Sequence, residues 1–206
     1  MKKQRTKGEK GKVNSKNSGR NSLIILICFF FFSCGENVYV PKPRGYFRID
    51  IQDTTYTPLK GKYPYFFEHS TRAYIDSLRR QEKYWINLEY PDLNATLHIT
   101  YKNMDTNNLT DLINDSRTLV FKQIVKADDV LESHILDTAT HLYGKIYELV
   151  GNDAACSFQF WVTDRQKHFL RGSLYLNQVP QNDSLAPLIT YLKKDMMHLL
   201  KTFKWN

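Results

Sequence analysis

The chain has 206 residues, 42% hydrophobic and 14% aromatic, which is enough apolar material for one domain with a real core and excludes a wholly disordered chain. Its formal charge of +8 suggests a nucleic-acid or membrane-surface protein until its distribution is examined. Eight of the 29 basic residues but only one of the 21 acidic ones precede position 34, so the remainder carries 21 against 20 and a nucleic-acid partner is not expected.

The basic tract leads into ten apolar residues, Leu23 to Phe32, closed by Ser33-Cys34-Gly35. This order of charged, apolar and small segments is that of an export signal. Ten helical residues span roughly 15 Å, about half a bilayer's hydrocarbon core, so cleavage is favoured over a stable membrane span. The box Phe31-Phe32-Ser33-Cys34 resembles a lipoprotein signal, with Ser33 in pattern and the two phenylalanines outside it. Residues 1–33 are therefore expected to be a signal peptide, with Cys34 the lipid-attachment residue and membrane anchor; three acyl chains, at about 0.8 kcal/mol per buried methylene, hold firmly. Cys28 leaves with the signal and Cys34 is acylated, so Cys156 stands alone and no internal disulfide is expected.

Residues 34–45 form a lipidated tether in which Pro41 and Pro43 favour extended geometry. Residues 46–206 are expected to be a single periplasmic domain. Tyr46 to Ile51 alternates as a strand, and short extended pieces are expected at Tyr63 to His69 and around Ala73-Tyr74-Ile75. Tyr84 to Tyr90 and Ala95 to Tyr101 alternate around Pro91-Asp92-Leu93-Asn94, which reads as a hairpin. Asn108 caps a helix whose Leu109, Leu112, Ile113, Val120 and Ile124 recur at helical spacing to about Lys126. Val130 to Leu136, Leu142 to Val150, Ala155 to Thr163 and His168 to Leu176 follow as an antiparallel meander. Asp183 or Ser184 begins the last helix, with Leu185, Leu188, Leu192, Met196, Leu199 and Phe203 along one side and Pro187 in its first turn. The expected class is α+β, an antiparallel sheet packed by helices, and the order resembles the PsbP/Mog1-like α/β/α sandwich.

No catalytic constellation is predicted. His69, His98, His134, His141, His168 and His198 lack the spacing of a zinc site, so no metal is expected. Cys156 is placed on the apolar face of its strand with Phe158, Phe160 and Val162, as a small buried hydrophobe rather than a nucleophile. No phosphate loop, dinucleotide fingerprint or Gly-x-Ser-x-Gly occurs, and no cofactor is expected. Tyr46, Trp85, Trp161 and Tyr175 fall on the second face or the edges of the sheet, where they either form a recognition patch or lie under a helix.

Several stretches together resemble the gliding-motility lipoprotein GldD family. They are Ser33-Cys34-Gly35, then Pro41-Lys42-Pro43-Arg44-Gly45-Tyr46-Phe47-Arg48-Ile49-Asp50, Leu88-Glu89-Tyr90-Pro91, and Asn94-Ala95-Thr96. Leu112 to Arg117, Val125 to Asp128, His168 to Tyr175 and Leu185-Ala186-Pro187 continue the series. The Lys-rich extension before the apolar segment departs from the family. The resemblance implies a non-enzymatic accessory component of the gliding apparatus and type IX secretion, with other gliding lipoproteins and secretion-complex subunits as partners; only Cys34 carries over as a site. Gly35 after the cysteine, with no acidic run, favours the outer membrane with the domain facing the periplasm. A glycan- or ligand-binding module and a cell-envelope hydrolase are the competing expectations.

Overall fold

A computed structural model describes residues 54–76, 82–105, 108–124, 127–151, 156–178 and 182–206. The expected strand Tyr46 to Ile51 lies outside them. Short strands β1 (Tyr56–Pro58), β2 (Tyr65–Phe66), β3 (Glu68–Ser70) and β4 (Tyr74–Asp76) come first. The hairpin β5 (Ile86–Tyr90) and β6 (Ala95–Asn103) follows, then helix α1 (Leu109–Ile124). The meander is β7 (Asp129–Asp137), β8 (Leu142–Val150), β9 (Cys156–Thr163) and β10 (His168–Leu176), and the chain closes with α2 (Asn182–Thr202) and β11 (Lys204–Trp205).

Seven strands form one sheet in the order β4-β5-β6-β10-β9-β8-β7, antiparallel at every pairing. The β5–β6 hairpin forms where expected because Asn94 takes the left-handed conformation (φ 47°, ψ 48°) and its N–H closes the turn on the Pro91 carbonyl. Short side chains with local hydrogen bonding tolerate that region. The alternation places Ile86, Leu88 and Tyr90 opposite Leu97, Ile99 and Tyr101; Ile86 faces Ile99 and Leu88 faces Leu97, while Tyr90 faces Ala95 and Tyr101 lies beyond the end of β5. Asn108 caps α1, its side-chain oxygen accepting the Thr110 N–H at 2.9 Å.

The sheet has two unlike faces. Leu88, Leu97, Ile99, Phe158, Phe160, Leu170 and Leu174 point to one side, where α2 lays Leu185, Leu188, Leu192, Met196 and Leu199 across them. Each such side chain contributes roughly 1.5–3 kcal/mol on burial. On the other side α1 contributes Val120 to a smaller cluster with Tyr147 and Leu149, flanked by Val130 and Trp161. This is an α+β domain with a helix on each face. Two further ribbons, β1–β3 and β2–β11, close around the end of α2, where the Thr202 hydroxyl accepts the Glu68 N–H at 2.9 Å. Neither β1 nor β11 is signalled by alternation, because a two- or three-residue strand carries no readable period.

Gly144 and Gly172 let strands and rings come close. A Cβ on Gly172 would lie 2.3 Å from two atoms of the Phe160 ring, and one on Gly144 would lie 2.2 Å from the Trp161 carbonyl oxygen. Gly172→Ala is therefore expected to cost about 1–3 kcal/mol by overpacking, read as a fall of roughly 2–4 °C in melting temperature per kcal/mol. Gly144→Ala is expected to cost more, since its obstacle is backbone rather than a ring that can tilt.

Candidate functional site

The α1 side of the sheet carries the polar chemistry. Register places Asn87, His98, Ser173, Gln159, Tyr147 and Glu132 side by side in one row across six strands. Thr100, Arg171, Trp161, Lys145 and His134 form the adjacent row. Three consecutive members of the first row, Ser173 Oγ, Gln159 Nε2 and the Tyr147 hydroxyl, are buried without a hydrogen-bond partner, as is Trp161 Nε1 in the second. Buried polar atoms are paired in the great majority of native structures, so four orphans on one face mark the place where this fold departs from simple packing. Arg171 donates to Gln159 Oε1 at 2.5 Å. Burial lowers the pKa of its guanidinium, and no carboxylate forms an ion pair with it among the described residues.

At the β7 end of this face a cavity of about 370 Å³ opens between the first turns of α1 and the sheet. Leu109 and Ile113 roof it, Trp161 and Tyr143 form its aromatic wall, and His134 and Leu136 stand at its outer side. Arg165 also lines it, its guanidinium 3.8 Å from the centre of the Tyr143 ring. That arginine is presented by the β9–β10 turn, in which Asp164 Oδ1 accepts the N–H groups of Gln166, Lys167 and His168 at 2.9, 2.9 and 2.8 Å. Burial acts to raise the Asp164 pKa, and the three backbone donors together outweigh it, holding the carboxyl below its ordinary range.

A second polar cluster lies at the end of α2. Asp195 is 1% exposed, accepts the Tyr56 hydroxyl at 3.1 Å through Oδ1, and has no partner at Oδ2. Burial raises its pKa, against smaller opposing effects of hydrogen bonds from Tyr56 and Ser70 and of the charges of His198 and Arg72. His198 stacks on Tyr56 with ring centres 3.5 Å apart and meets Glu68 at 2.8 Å. These contacts fasten β1 and β3 to the helix.

The gliding motility lipoprotein GldD family model matches residues 36–205. The chain belongs to this family. It is thus a gliding motility lipoprotein, a membrane-anchored protein of the cell envelope. No curated protein sequence matches it. The chain is similar in structure to the solution structure of cyanobacterial PsbP (CyanoP) from Synechocystis sp. PCC 6803, at 11% identity and a TM-score of 0.47, covering 77% of this chain and 97% of that one. Among the described residues no helix is long and apolar enough to cross a membrane.

Cys34, the predicted attachment residue of this family member, lies outside the described residues, as does Tyr46. The remaining aromatics are not brought together: Trp161 stacks on Phe169 at the cavity, Tyr175 packs edge-on to His98, and the Trp85 indole donates to the Tyr101 carbonyl at 2.9 Å. The six histidines stay scattered, and among the described residues no group of three or more side chains could hold a metal ion. Cys156 is buried and free, yet it does not join Phe158 and Phe160 as the alternation predicts. The register shifts between Leu174 and Tyr175, so Leu174 faces Phe158 while Tyr175 faces Cys156. The bulge sets the cysteine opposite Tyr175, whose ring packs against His98 on the polar side. Arg171 and Gln159, which the sequence reading passed over, were signalled by long polar side chains inside otherwise apolar strands.

Burial pushes the Cys156 thiol up to about 12, with Arg171 opposing. In the native protein at pH 8, iodoacetamide is expected to leave Cys156 unlabelled, with full labelling after denaturation, read by mass-spectrometric mapping of its peptide. Labelling of the native thiol at the denatured rate would contradict the burial. For Asp195 the folded pKa lies above the unfolded value of about 3.9. The folded chain then holds the extra proton between the two values, and stability falls as pH rises through that window. Asp195→Asn is expected to raise the melting temperature near pH 7, with the gain fading as pH approaches about 4. An equal shift at pH 4 and pH 7 would assign the effect to something other than the charge.

Proposed function

We propose that this family member is a non-enzymatic accessory component of the gliding and type IX secretion apparatus, held by acyl chains on Cys34 with its domain in the periplasm, at the outer membrane. The family match over residues 36–205 carries this reading. The fold supports it in one respect: its long strand β7 lies at the sheet's edge, largely exposed and suited to protein contact. Other gliding lipoproteins and secretion-complex subunits are the proposed partners. A second reading, a binding module for a cell-wall glycan or small ligand, draws on the cavity beside Trp161 and on the unpaired polar atoms behind it. Aromatic walls with a few convergent polar groups are the ordinary make-up of such sites.

The deciding experiment is gentle crosslinking and affinity purification of a tagged, chromosomally expressed copy, beside Cys34→Ala and a deletion strain. Loss of spreading on deletion, with gliding or secretion subunits recovered only by the acylated chain, is the expected result. A deletion strain that glides normally would remove the accessory role. Recovery of glycan fragments alone, with quenching of tryptophan fluorescence that Trp161→Phe abolishes, would favour the ligand reading.

A further inference from the structure

Strand β7 is nine residues long, pairs with β8 in continuous register without a bulge, and has no strand on its other side among the described residues. Edge strands invite pairing with another chain, and proteins commonly blunt them with shortness, proline, lysine or a bulge. The opposite edge follows that rule, since β4 has three residues. β7 uses little of this protection: its sequence, Asp-Val-Leu-Glu-Ser-His-Ile-Leu-Asp, contains neither proline nor lysine, its charged side chains are confined to Asp129, Glu132 and Asp137, and it leaves Leu131 51% and Leu136 71% exposed.

The order of those residues specifies what covers the edge. Laid antiparallel on a second copy about Ser133, Val130 meets Leu136, Leu131 meets Ile135, and Glu132 meets His134, each pair occurring twice. Apolar stands opposite apolar, and Glu132, which already pairs with Lys145 of β8 at 2.7 Å but stays 40% exposed, stands opposite the imidazole; both combinations favour cross-strand pairing. Only the outermost pair, Asp129 with Asp137, is of like charge, and each of those carboxylates already accepts backbone N–H groups, Asp129 from Val130 and Asp137 from Ala139 and Thr140. Faces agree as well as residues. Val130 packs with the α1-side cluster and Ile135 with the α2-side core, and pairing about Ser133 matches each position to one of the same face.

We propose that the chain forms a symmetric homodimer through antiparallel β7–β7 pairing centred on Ser133, making one continuous sheet from two seven-stranded ones. The two-fold axis of such a pairing stands perpendicular to the sheet, so both α1 helices lie on the same side. The second copy's Glu132 and Val130 then stand beside His134 and Leu136, which line the Trp161 cavity, and each subunit completes the outer wall of the other's pocket. A different protein seated on this edge would leave the internal two-fold of the strand's sequence unused.

The test is cysteine crosslinking of the full, lipidated chain in intact cells, using copper-catalysed oxidation or a short bis-maleimide and non-reducing gels. Ser133→Cys places two thiols opposite each other, about 5 Å apart between backbones, and is expected to give a covalent dimer. Leu136→Cys alone is expected to give none, because its copies are offset by six residues, roughly 20 Å along the strand. Co-expressed Leu136→Cys and Val130→Cys chains are expected to restore the dimer, a result only this register produces. His134→Glu in the Ser133→Cys background sets acid against acid and is expected to lose the crosslink; adding Glu132→His restores it. No dimer from Ser133→Cys in a chain that accumulates normally, equal crosslinking by Leu136→Cys, or a Ser133→Cys adduct to a different protein would each overturn the proposal.

Discussion

The pairing of β6 with β10 is the contact on which the rest of this domain depends. It runs from His168 opposite Asn103 to Leu176 opposite Ala95, nine residue pairs without interruption, and joins a local hairpin to a local meander that are about 70 residues apart in the chain. Without it the sheet would fall into a three-stranded piece, β4-β5-β6, and a four-stranded one, β10-β9-β8-β7, each with part of its apolar face in water. With it, Leu97, Ile99, Leu170 and Leu174 become a continuous surface broad enough for α2 to cover, and α2 then brings β1 and β3 into place through Tyr56, Glu68 and Thr202. Closing so long a loop is entropically unfavourable until the sheet face is buried, so sheet and helix are expected to form together.

The two sides of that sheet are built on different terms. The α2 side is almost wholly apolar and holds most of the buried apolar side chains among the described residues. The α1 side sets Arg171, Gln159, Ser173 and Tyr147 against a helix whose one fully buried apolar side chain, among the described residues, is Val120. A helix held by so little burial contributes less to stability than α2 does, and the cavity lies at the end of its contact with the sheet. The less firmly packed of the two layers is therefore also the one that carries the unpaired atoms of Ser173, Gln159, Tyr147 and Trp161.

Much of this architecture was legible in the sequence because its main elements are long and periodic. The hairpin, the four meander strands and both helices follow from alternation, helical spacing, turn residues and the Asn108 cap, although α2 begins at Asn182 and holds Pro187 inside it rather than in its first turn. What was not legible depended on contacts between distant segments. The bulge that sets Cys156 opposite Tyr175 is a register shift between two strands, invisible in the alternation of either one. The Asp195 cluster draws Tyr56 from β1, Ser70 from β3, Arg72 from the turn that follows and His198 from α2. The polar row became a row only when five pairings aligned six residues, although Arg171 in the middle of an apolar strand was a signal that a close reading of period-two patterns could use.

Anchoring changes what an edge strand can do. Pairing of two nine-residue strands adds backbone hydrogen bonds and a few side-chain contacts, a modest interface by the standard of stable soluble complexes. A chain tethered to a membrane, however, samples a thin layer rather than a volume, and confinement raises the effective concentration of one copy around another without any new contact. Weak edge affinity then suffices at the membrane while the same domain released into solution stays apart. The absence of lysine and proline from β7 becomes intelligible on the same ground: protection against pairing is dispensable where pairing is confined to one plane and directed by Glu132 and His134 to a single register.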